Sequence, residues 1–398
     1  MTEQDKKKFK TVPAMDMDEY KQKIREHRLK ILKRTLVTAL IVFVIIAGLF
    51  LFLALRHYED FDVNSTVERS DTAATIFEEF QGNILKYSND GALYTDTYNE
   101  RIWNQTYEMA KPTIDICEDY LVIYDKKGTQ IYIMTSQGLV SNIETTMTIE
   151  QVSIAAQGTI AVLMGDQSNS YLVVYDKNGK ELVNGAIYGE DGGYPIAIAL
   201  SNDAIKLAVS MMDINDGNVK TTIAFYNFGS VGENEIDRIV SANSFSDMVI
   251  PQLDFVSDDR MVAYGDSEIA IFEGTQKPKL AQEIPLTGEA KSIFNNNKYV
   301  GVVYSNNDEN LTHHVAVYDM HGFTVMEKDF SQEYTEIGFL PNNEVCILNE
   351  HSCDIYTVRG IYKFHYDFDE ELYKIISGGT GLNYTIILEN STEKVRLK

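Results

Sequence analysis

The sequence predicts an all-β protein, an eight-bladed β-propeller with a seven-bladed ring as the alternative, preceded by a cytoplasmic tail and one transmembrane helix. Three observations lead to this prediction. Residues 36–55 are twenty uncharged residues without proline, helical periodicity is nearly absent after residue 60, and a strand–turn–strand motif recurs through the rest of the chain. A period near 40–45 residues with about four strands is typical of propeller blades.

The first 35 residues form a basic tail that is predicted to be partly helical. Residues 1–34 contain eleven Lys and Arg against six Asp and Glu, whereas the rest of the chain contains 24 against 53. This asymmetry predicts that the tail is cytoplasmic, that residues 36–55 cross the cell membrane once, and that residues 56–398 are extracytoplasmic. The apolar run is longer than that of a signal peptide, and no small-residue cleavage pattern follows it, so we expect an uncleaved anchor in the lipid bilayer.

The strand motif occurs seven times beyond the anchor. Its corresponding turn residues are separated by 39, 41, 51, 46, 46 and 39 residues, and they are Asp96, Thr135, Asp176, Asn227, Glu273, Asp319 and Val358. After them, residues 372–398 contain three further strands, whereas a blade needs four. Residues 60–68 alternate apolar and polar residues, so they are predicted to close this last blade. The closing strand follows the anchor after about five residues, so we expect the ring to lie near the membrane.

A resemblance to a known family is carried by residues 83–91 (NILKYSNDG), 102–133, 154–163 (IAAQGTIAVL) and 175–182 (YDKNGKEL). With these stretches the chain resembles a Firmicute family of single-pass membrane proteins with an exported β-propeller domain of unknown function. The resemblance implies a propeller and an extracytoplasmic location, and it implies no activity. The repeat is also similar to the quinoprotein-type blade. Quinone-dependent dehydrogenases of that type need many tryptophans and adjacent cysteines, but this chain has only Trp103, which we interpret as a blade-packing residue.

No catalytic or metal motif is present, and we predict no catalytic, cofactor-binding or metal-binding residue. Residues 213–218 resemble an EF-hand loop, but the glycine comes one position early and no glutamate follows at position twelve, so we interpret them as a hairpin turn. Weak Ca²⁺ binding stays open at the acidic loops 190–193, 257–259 and 306–310. A zinc site near His313, His314 and His321 would need a further ligand.

The three cysteines do not form a disulfide framework. Cys346 and Cys353 flank a predicted hairpin, and they either pair across it or are small buried residues in neighbouring strands; Cys117 stands alone. Twenty-four tyrosines are present, most of them in strand motifs. Tyr188, Tyr194 and Tyr334 fall in loops instead, where they either surround a binding mouth or pack in turns.

The strongly acidic exported region argues against nucleic-acid binding, because such a protein must neutralise phosphates with clustered Lys and Arg. We therefore interpret the protein as a membrane-anchored, extracytoplasmic binding or scaffold module for an envelope protein, peptide or polymer. The alternative is a cell-envelope hydrolase or lyase that uses carboxylates of the central funnel with a divalent metal. A sensor whose tail reports binding inward is a third possibility.

Overall fold

A computed structural model describes residues 17–398, apart from 73, 166–168, 188–192, 216, 307–309 and 380. It divides into two compact units, Met1–His57 and Tyr58–Lys398. The second unit contains eight four-stranded sheets. The predicted eight-bladed propeller is therefore confirmed, and the seven-bladed alternative is wrong.

The first unit contains one long helix, α1, which spans Met17–Ala54. Its stretch Lys21–Gly48 is long and apolar enough to cross a membrane, and the side chains there are not buried inside the protein. The predicted juxtamembrane helix and the predicted apolar segment are therefore one continuous helix, which ends one residue before the predicted limit.

The second unit begins with β1 Phe61–Glu68, which belongs to the last blade, and blades 1 to 7 then follow along the chain. Blade 1 contains β2 Ile76–Phe80, β3 Asn83–Ser88, β4 Gly91–Thr95 and β5 Arg101–Thr106. Blade 2 contains β6 Pro112–Cys117, β7 Tyr120–Asp125, β8 Gln130–Thr135 and β9 Gly138–Glu144. Blade 3 contains β10 Thr148–Ile154, β11 Ile160–Gly165, β12 Ser170–Tyr175 and β13 Glu181–Ile187.

Blade 4 contains β14 Tyr194–Leu200, β15 Lys206–Asn215, β16 Asn218–Asn227 and β17 Ile239–Ser246, with short 3₁₀ turns at Gly232–Asn234 and Ile236–Arg238. Blade 5 contains β18 Gln252–Ser257, β19 Arg260–Tyr264, β20 Glu268–Glu273 and β21 Lys279–Pro285. Blade 6 contains β22 Ala290–Asn295, β23 Tyr299–Ser305, β24 His313–Asp319 and β25 Thr324–Phe330. Blade 7 contains β26 Glu336–Phe339, β27 Val345–Leu348, β28 Ser352–Tyr356 and β29 Tyr362–Asp367.

Blade 8 joins the two ends of the propeller unit. It contains β30 Leu372–Ser377, β31 Asn383–Leu388 and β32 Ser391–Leu397, and β1 is its outer strand. β1 pairs antiparallel with β32 and has a one-residue bulge between Val63 and Ser65. The outer strand of every other blade has a similar bulge near its start. A bulge increases the twist of a strand. The local geometry of β1 therefore matches that of the outer strands in the other seven blades, although β1 comes from the opposite end of the propeller unit.

The apolar core is divided among the eight seams between neighbouring blades. The first strands of neighbouring blades contact one another, so they surround the centre of the ring. Among the described residues, seven seams have clusters of nine to fifteen buried apolar residues. The seam between blades 8 and 1 has only four, namely Phe77, Ile84, Ile376 and Ile387. This closing seam therefore depends more than the others on polar contacts.

Charged side chains supply those contacts at the closing seam. The Lys86 ammonium, which is almost fully buried, lies 2.7 Å from a carboxylate oxygen of Asp71. The Arg69 side chain bonds the same carboxylate at 3.1 Å, and its guanidinium lies 4.5 Å from the ring centre of Phe77 and 4.9 Å from that of Tyr373. Cation–π contacts of this kind gain strength when they are shielded from water.

The recurring turn between the third and fourth strands has a simple cause. One carboxylate oxygen of Asp96 accepts the backbone N–H groups of the residues two and four positions later, each at 2.8 Å. Asp176 and Asp319 do the same in blades 3 and 6. In blade 7 the hydroxyl of Thr357 accepts such a bond, rather than Val358, which lacks a side-chain acceptor. The predicted seventh turn position was therefore wrong by one residue.

Candidate functional site

Strand order divides the loops of the propeller between two faces. The connections between the first and second strands and between the third and fourth strands share one face. The backbone N–H of Tyr58 donates to the carbonyl of Lys363 at this face, at 2.9 Å, and the Tyr58 side chain is buried there. We call it the entry face, because the chain enters the propeller through Tyr58. The connections between second and third strands and between successive blades lie on the opposite face.

This opposite face is strongly acidic from blade 5 to blade 8. Its connections in that half of the ring are 247–251, 265–267, 286–289, 306–312, 331–335, 349–351, 368–371 and 389–390. Apart from residues 307–309, which the structure does not describe, these connections contain nine Asp and Glu residues and no Lys or Arg. Those described as exposed are Asp247, Asp266, Glu289, Glu333, Glu350, Asp369, Glu371 and Glu389. We call these eight connections the acidic face.

The entry face of the same half of the ring has balanced charge. Its connections are 258–259, 274–278, 296–298, 320–323, 340–344, 357–361 and 378–382. They contain three carboxylates, at Asp258, Asp259 and Glu344, and three cations, at Lys277, Lys298 and Arg359. The negative charge of the propeller is therefore concentrated on one side of blades 5 to 8.

A polar cavity of about 510 Å³ lies beside the acidic face, at the ends of strands in blades 2 to 5. It is lined by Tyr194, Gln151 and Gln252, together with Lys126 and Glu150. The ring of Tyr194 is more than half exposed, so it is available to a ligand at this mouth.

The three predicted mouth tyrosines have different positions. Tyr194 is the first residue of β14 and not part of a loop, and it lines the cavity. Tyr334 instead packs against His313 and Phe330, and its hydroxyl lies 2.7 Å from the Ser292 hydroxyl, so it holds the connection 331–335 against blade 6. Tyr188 lies outside the described residues.

Polar side chains on the first strands bond neighbouring blades around the centre of the ring. The Gln151 amide bonds both backbone groups of Ile198 in the next blade, at 2.9 and 3.0 Å. The Asp115 carboxylate accepts the N–H of Ile154 at 2.8 Å. These contacts satisfy polar groups that face the next strand, and they fix the spacing of the blades.

Lys374 joins three blades on the inside of the ring. Its ammonium lies 2.7 Å from a carboxylate oxygen of Glu336 in blade 7 and 3.1 Å from one of Glu78 in blade 1. Burial alone would lower the pKa of Lys374, but these two carboxylates outweigh it and raise the pKa. The three side chains line a cavity of about 310 Å³ that extends toward the entry face. Lys374 thus links its own blade to blades 7 and 1 through two ion pairs, and we call Lys374, Glu336 and Glu78 the clamp.

Two further carboxylates on first strands have raised pKa values. Removal from water raises the pKa of Asp115 to about 7, and the negative charge of Asp254 adds to this effect. Desolvation also raises the pKa of Asp254, although its hydrogen bond from the Asn295 amide acts in the opposite direction. Asp115 therefore titrates near neutral pH, which is well above the range of a solvated aspartate.

The candidate metal ligands do not come together. Among the described residues, no group of three or more His, Cys, Asp or Glu side chains could hold a metal ion. The buried ring of His313 stacks on Phe330, with ring centres 5.0 Å apart, and His314 bonds Asp329. His321 is exposed at a turn. The loops 190–193, 213–218 and 306–310 lie partly outside the described residues, and the aspartates of 257–259 are exposed.

Trp103 and the cysteines have structural positions. The indole N–H of Trp103 donates to the Thr135 carbonyl at 3.1 Å, and its ring stacks on Tyr94 at the seam of blades 1 and 2.

Cys346 and Cys353 are free thiols buried in the neighbouring strands β27 and β28. They are not opposite each other, because Cys346 pairs with Ile355. Burial raises the pKa of both thiols, which suppresses the reactive thiolate.

Residues 54–397 match a family described as "Family of unknown function (DUF5711)". The chain belongs to this family. Among solved structures, BamB from Moraxella catarrhalis is similar, with a TM-score of 0.50 and 13% identity over 85% of this chain and 100% of that chain. Hsv2 from Kluyveromyces lactis has a TM-score of 0.47 and 11% identity over 74% and 98% of the two chains. At such identities the similarity is one of fold. No curated protein sequence matches the chain.

Two features of the site escaped the sequence reasoning. Successive connections lie on opposite faces of the propeller. The charge difference between the faces therefore becomes visible only when every strand has been located and every second connection is assigned to the same face. The polar residues of the first strands had a signal, because Glu78, Asp115, Gln151, Asp254 and Lys374 all lie within the opening strand of a repeat. Polar residues inside otherwise apolar strands generally have specific partners.

Proposed function

We propose that this protein is a membrane-anchored, extracytoplasmic binding module whose acidic face captures a Lys- and Arg-rich segment of a protein partner in the cell envelope. The observation that carries the proposal is the set of eight connections whose described residues include nine carboxylates and no Lys or Arg. A surface of one sign attracts a partner of the opposite sign, accelerates its association and disfavours partners of like charge.

The neighbouring cavity supports a binding function at the same side of the ring. Tyr194 offers an exposed aromatic surface, and Gln252 beside it is an exposed amide that can donate and accept hydrogen bonds. Aromatic side chains give large contact areas at a small entropic cost, so they often anchor protein interfaces. The acidic face would then attract the partner, and the cavity would receive one of its side chains.

The membrane location is supported by α1 and by the charge on either side of it. The tail before residues 36–55 has excess positive charge, and the propeller after them has excess negative charge. A partner captured outside the cytoplasm would thus be held at the membrane. The enzyme alternative has less support, because the carboxylates inside the ring are bonded to neighbouring blades through Lys374, Asn295 and the backbone of Ile154.

The test begins with crosslinking of the full-length protein in its native membrane and identification of the crosslinked partner. Binding of that partner is then measured with a charge-reversed variant carrying Glu333→Lys, Glu350→Lys and Glu389→Lys. Each exposed charge contributes roughly 0.5–1 kcal/mol, so we expect affinity to fall by at least about tenfold. Added salt should weaken the wild-type complex as well.

A matched control carries Glu100→Lys, Glu118→Lys and Glu233→Lys on the entry face, where all three residues are exposed. It changes the net charge by the same amount, so it should retain binding if the acidic face is the docking surface. Equal loss in both variants would contradict the proposal, and so would a partner whose binding survives reversal of the acidic face.

A further inference from the structure

We propose that the entry face of the propeller rests on the surface of the lipid bilayer, with exposed apolar side chains inserted among the headgroups. This inference rests on the proposed membrane anchoring, but it concerns the face opposite the proposed partner site. It assigns a lipid-contacting role to residues that neither the fold nor the acidic face requires.

The exposed apolar residues of the propeller are concentrated at the entry face. Fourteen large apolar side chains of the second unit are exposed in the described part of the chain. Ten of them lie within three residues of an entry-face connection, and they are Val63, Tyr98, Ile102, Ile116, Leu139, Val140, Leu182, Ile236, Phe323 and Tyr362. Only Ile76, Tyr194, Ile214 and Leu311 of this set lie elsewhere, so the exposed apolar side chains are unequally distributed between the two faces.

The distribution of these residues fits a flat partner. Ile236 is 86% exposed in blade 4 and Phe323 is 69% exposed in blade 6, while Tyr98 and Leu182 are more than half exposed in blades 1 and 3. They occur at turns or strand starts around the rim, so they form separate contact points instead of one continuous patch. A bilayer can touch such points together, whereas a globular protein partner would need a contiguous patch.

The short connecting chain limits the distance between the end of α1 and the start of the propeller. Only Leu55, Arg56 and His57 lie between the last residue of α1 and Tyr58, which is buried at the entry face. Four peptide units span at most about 14 Å between Cα atoms. The partner is therefore identified as the membrane in which α1 is proposed to lie.

The chemistry of the entry face suits lipid headgroups better than that of the acidic face. Aromatic side chains such as Tyr98, Phe323 and Tyr362 are favoured at the boundary between hydrocarbon and water. Exposed Lys177 and Lys277 are present on the turns of this face, and lysine can place its methylene stem against apolar surroundings while its ammonium stays in water. Anionic lipids would repel the acidic face more strongly than the entry face of the same blades, where three carboxylates are balanced by three cations.

The test uses the full-length protein in nanodiscs of phosphatidylcholine and phosphatidylglycerol. A fluorophore is attached in a Cys117→Ser background at Phe323→Cys or Ile236→Cys on the entry face, and at Glu371→Cys on the acidic face as the control. Lipids with a nitroxide in the headgroup quench fluorophores on contact. We expect the two entry-face labels to lose most of their fluorescence and the control label to keep it.

A second variant separates contact by apolar side chains from simple tethering. It carries Phe323→Ser and Ile236→Ser, and the fluorophore is attached through Arg359→Cys, also on the entry face. If the apolar residues hold the face against the bilayer, quenching at this site should fall in the double variant relative to the wild-type background. Unchanged quenching would contradict their role.

Two other outcomes would overturn the proposal outright. Equal quenching on both faces would mean that the propeller has no preferred orientation on the bilayer. Entry-face labels that are shielded from an aqueous quencher, but not affected by nitroxide lipids, would mean that a protein or a second copy of the chain covers this face. Neither result depends on the acidic-face partner, so failure of this inference is distinguishable from failure of the proposed function.

Discussion

Replacing Tyr58 by alanine should destabilise the whole propeller, although this residue comes only four positions after the helix. The Tyr58 side chain is 3% exposed and packs with Phe364 and Leu397 in the cluster between blades 7 and 8. Burial of an aromatic side chain removes about 150–250 Å² from water, which at about 25 cal/mol per Å² gives roughly 4–6 kcal/mol. Core substitutions of large aromatics by alanine cost about 3–5 kcal/mol, so we expect a loss of about 4 kcal/mol.

This loss converts to a measurable shift in melting temperature. The second unit, Tyr58–Lys398, has 341 residues, and an unfolding entropy of about 2.1 cal/mol/K per residue then gives a decrease of about 6 °C. Thermal unfolding of the full-length Tyr58→Ala variant in detergent can be followed by circular dichroism and by the fluorescence of Trp103. Glu59→Ala is the matched control, because Glu59 is the exposed next residue. Equal melting temperatures for Tyr58→Ala and Glu59→Ala would refute the reasoning.

Four further predictions test other parts of the ring. Replacing residues 61–68 by a Gly/Ser segment of equal length should lower the melting temperature, and unchanged melting would contradict closure by β1. The raised pKa of Asp115 alone should cost up to about 4 kcal/mol of stability as the pH rises from 4 to 7, because the folded state keeps the Asp115 proton there and the unfolded state loses it; Asp115→Asn should remove this contribution in pH-dependent melting. Lys374→Met should destabilise by about 3 kcal/mol at neutral pH, because it leaves two carboxylates without their shared cation; an unchanged denaturation midpoint would argue against the clamp. Cys346 and Cys353 should resist thiol reagents until the protein unfolds, and rapid labelling of the folded protein would contradict their burial.

The sequence was sufficient for the architecture because propeller strands have a local signal. Each blade repeats alternating or apolar strands and a polar turn, and the side chains of Asp96, Asp176 and Asp319 build that turn within five residues. Even the closing strand could be predicted, since the alternation of Phe61, Val63 and Val67 is visible without its partner. Turn boundaries were less certain, as the one-residue error at Val358 demonstrates.

The candidate site depends on contacts that have no local pattern. Lys374 and Glu78 are 296 residues apart, and nothing in either neighbourhood indicates the other. The raised pKa of Asp115 likewise results from desolvation in the assembled ring and from Asp254 in another blade. The acidic face was partly predictable. Its Asp and Glu residues are visible in short loops of the sequence, but only the strand order reveals that these loops share one face.

Closure by β1 makes the order of synthesis matter. Thr66 contacts Glu393, and these residues are 327 positions apart, so the first strand made is the last to find its partner. During synthesis, β1 must remain unpaired while seven blades form, because the edge of β32 becomes available only when residues 391–397 have been made. Nascent chains that stop before Ser391 would then be left with an open ring and exposed strand edges, which favour proteolysis and aggregation. The ring can therefore close only in a chain that carries both β1 and β32.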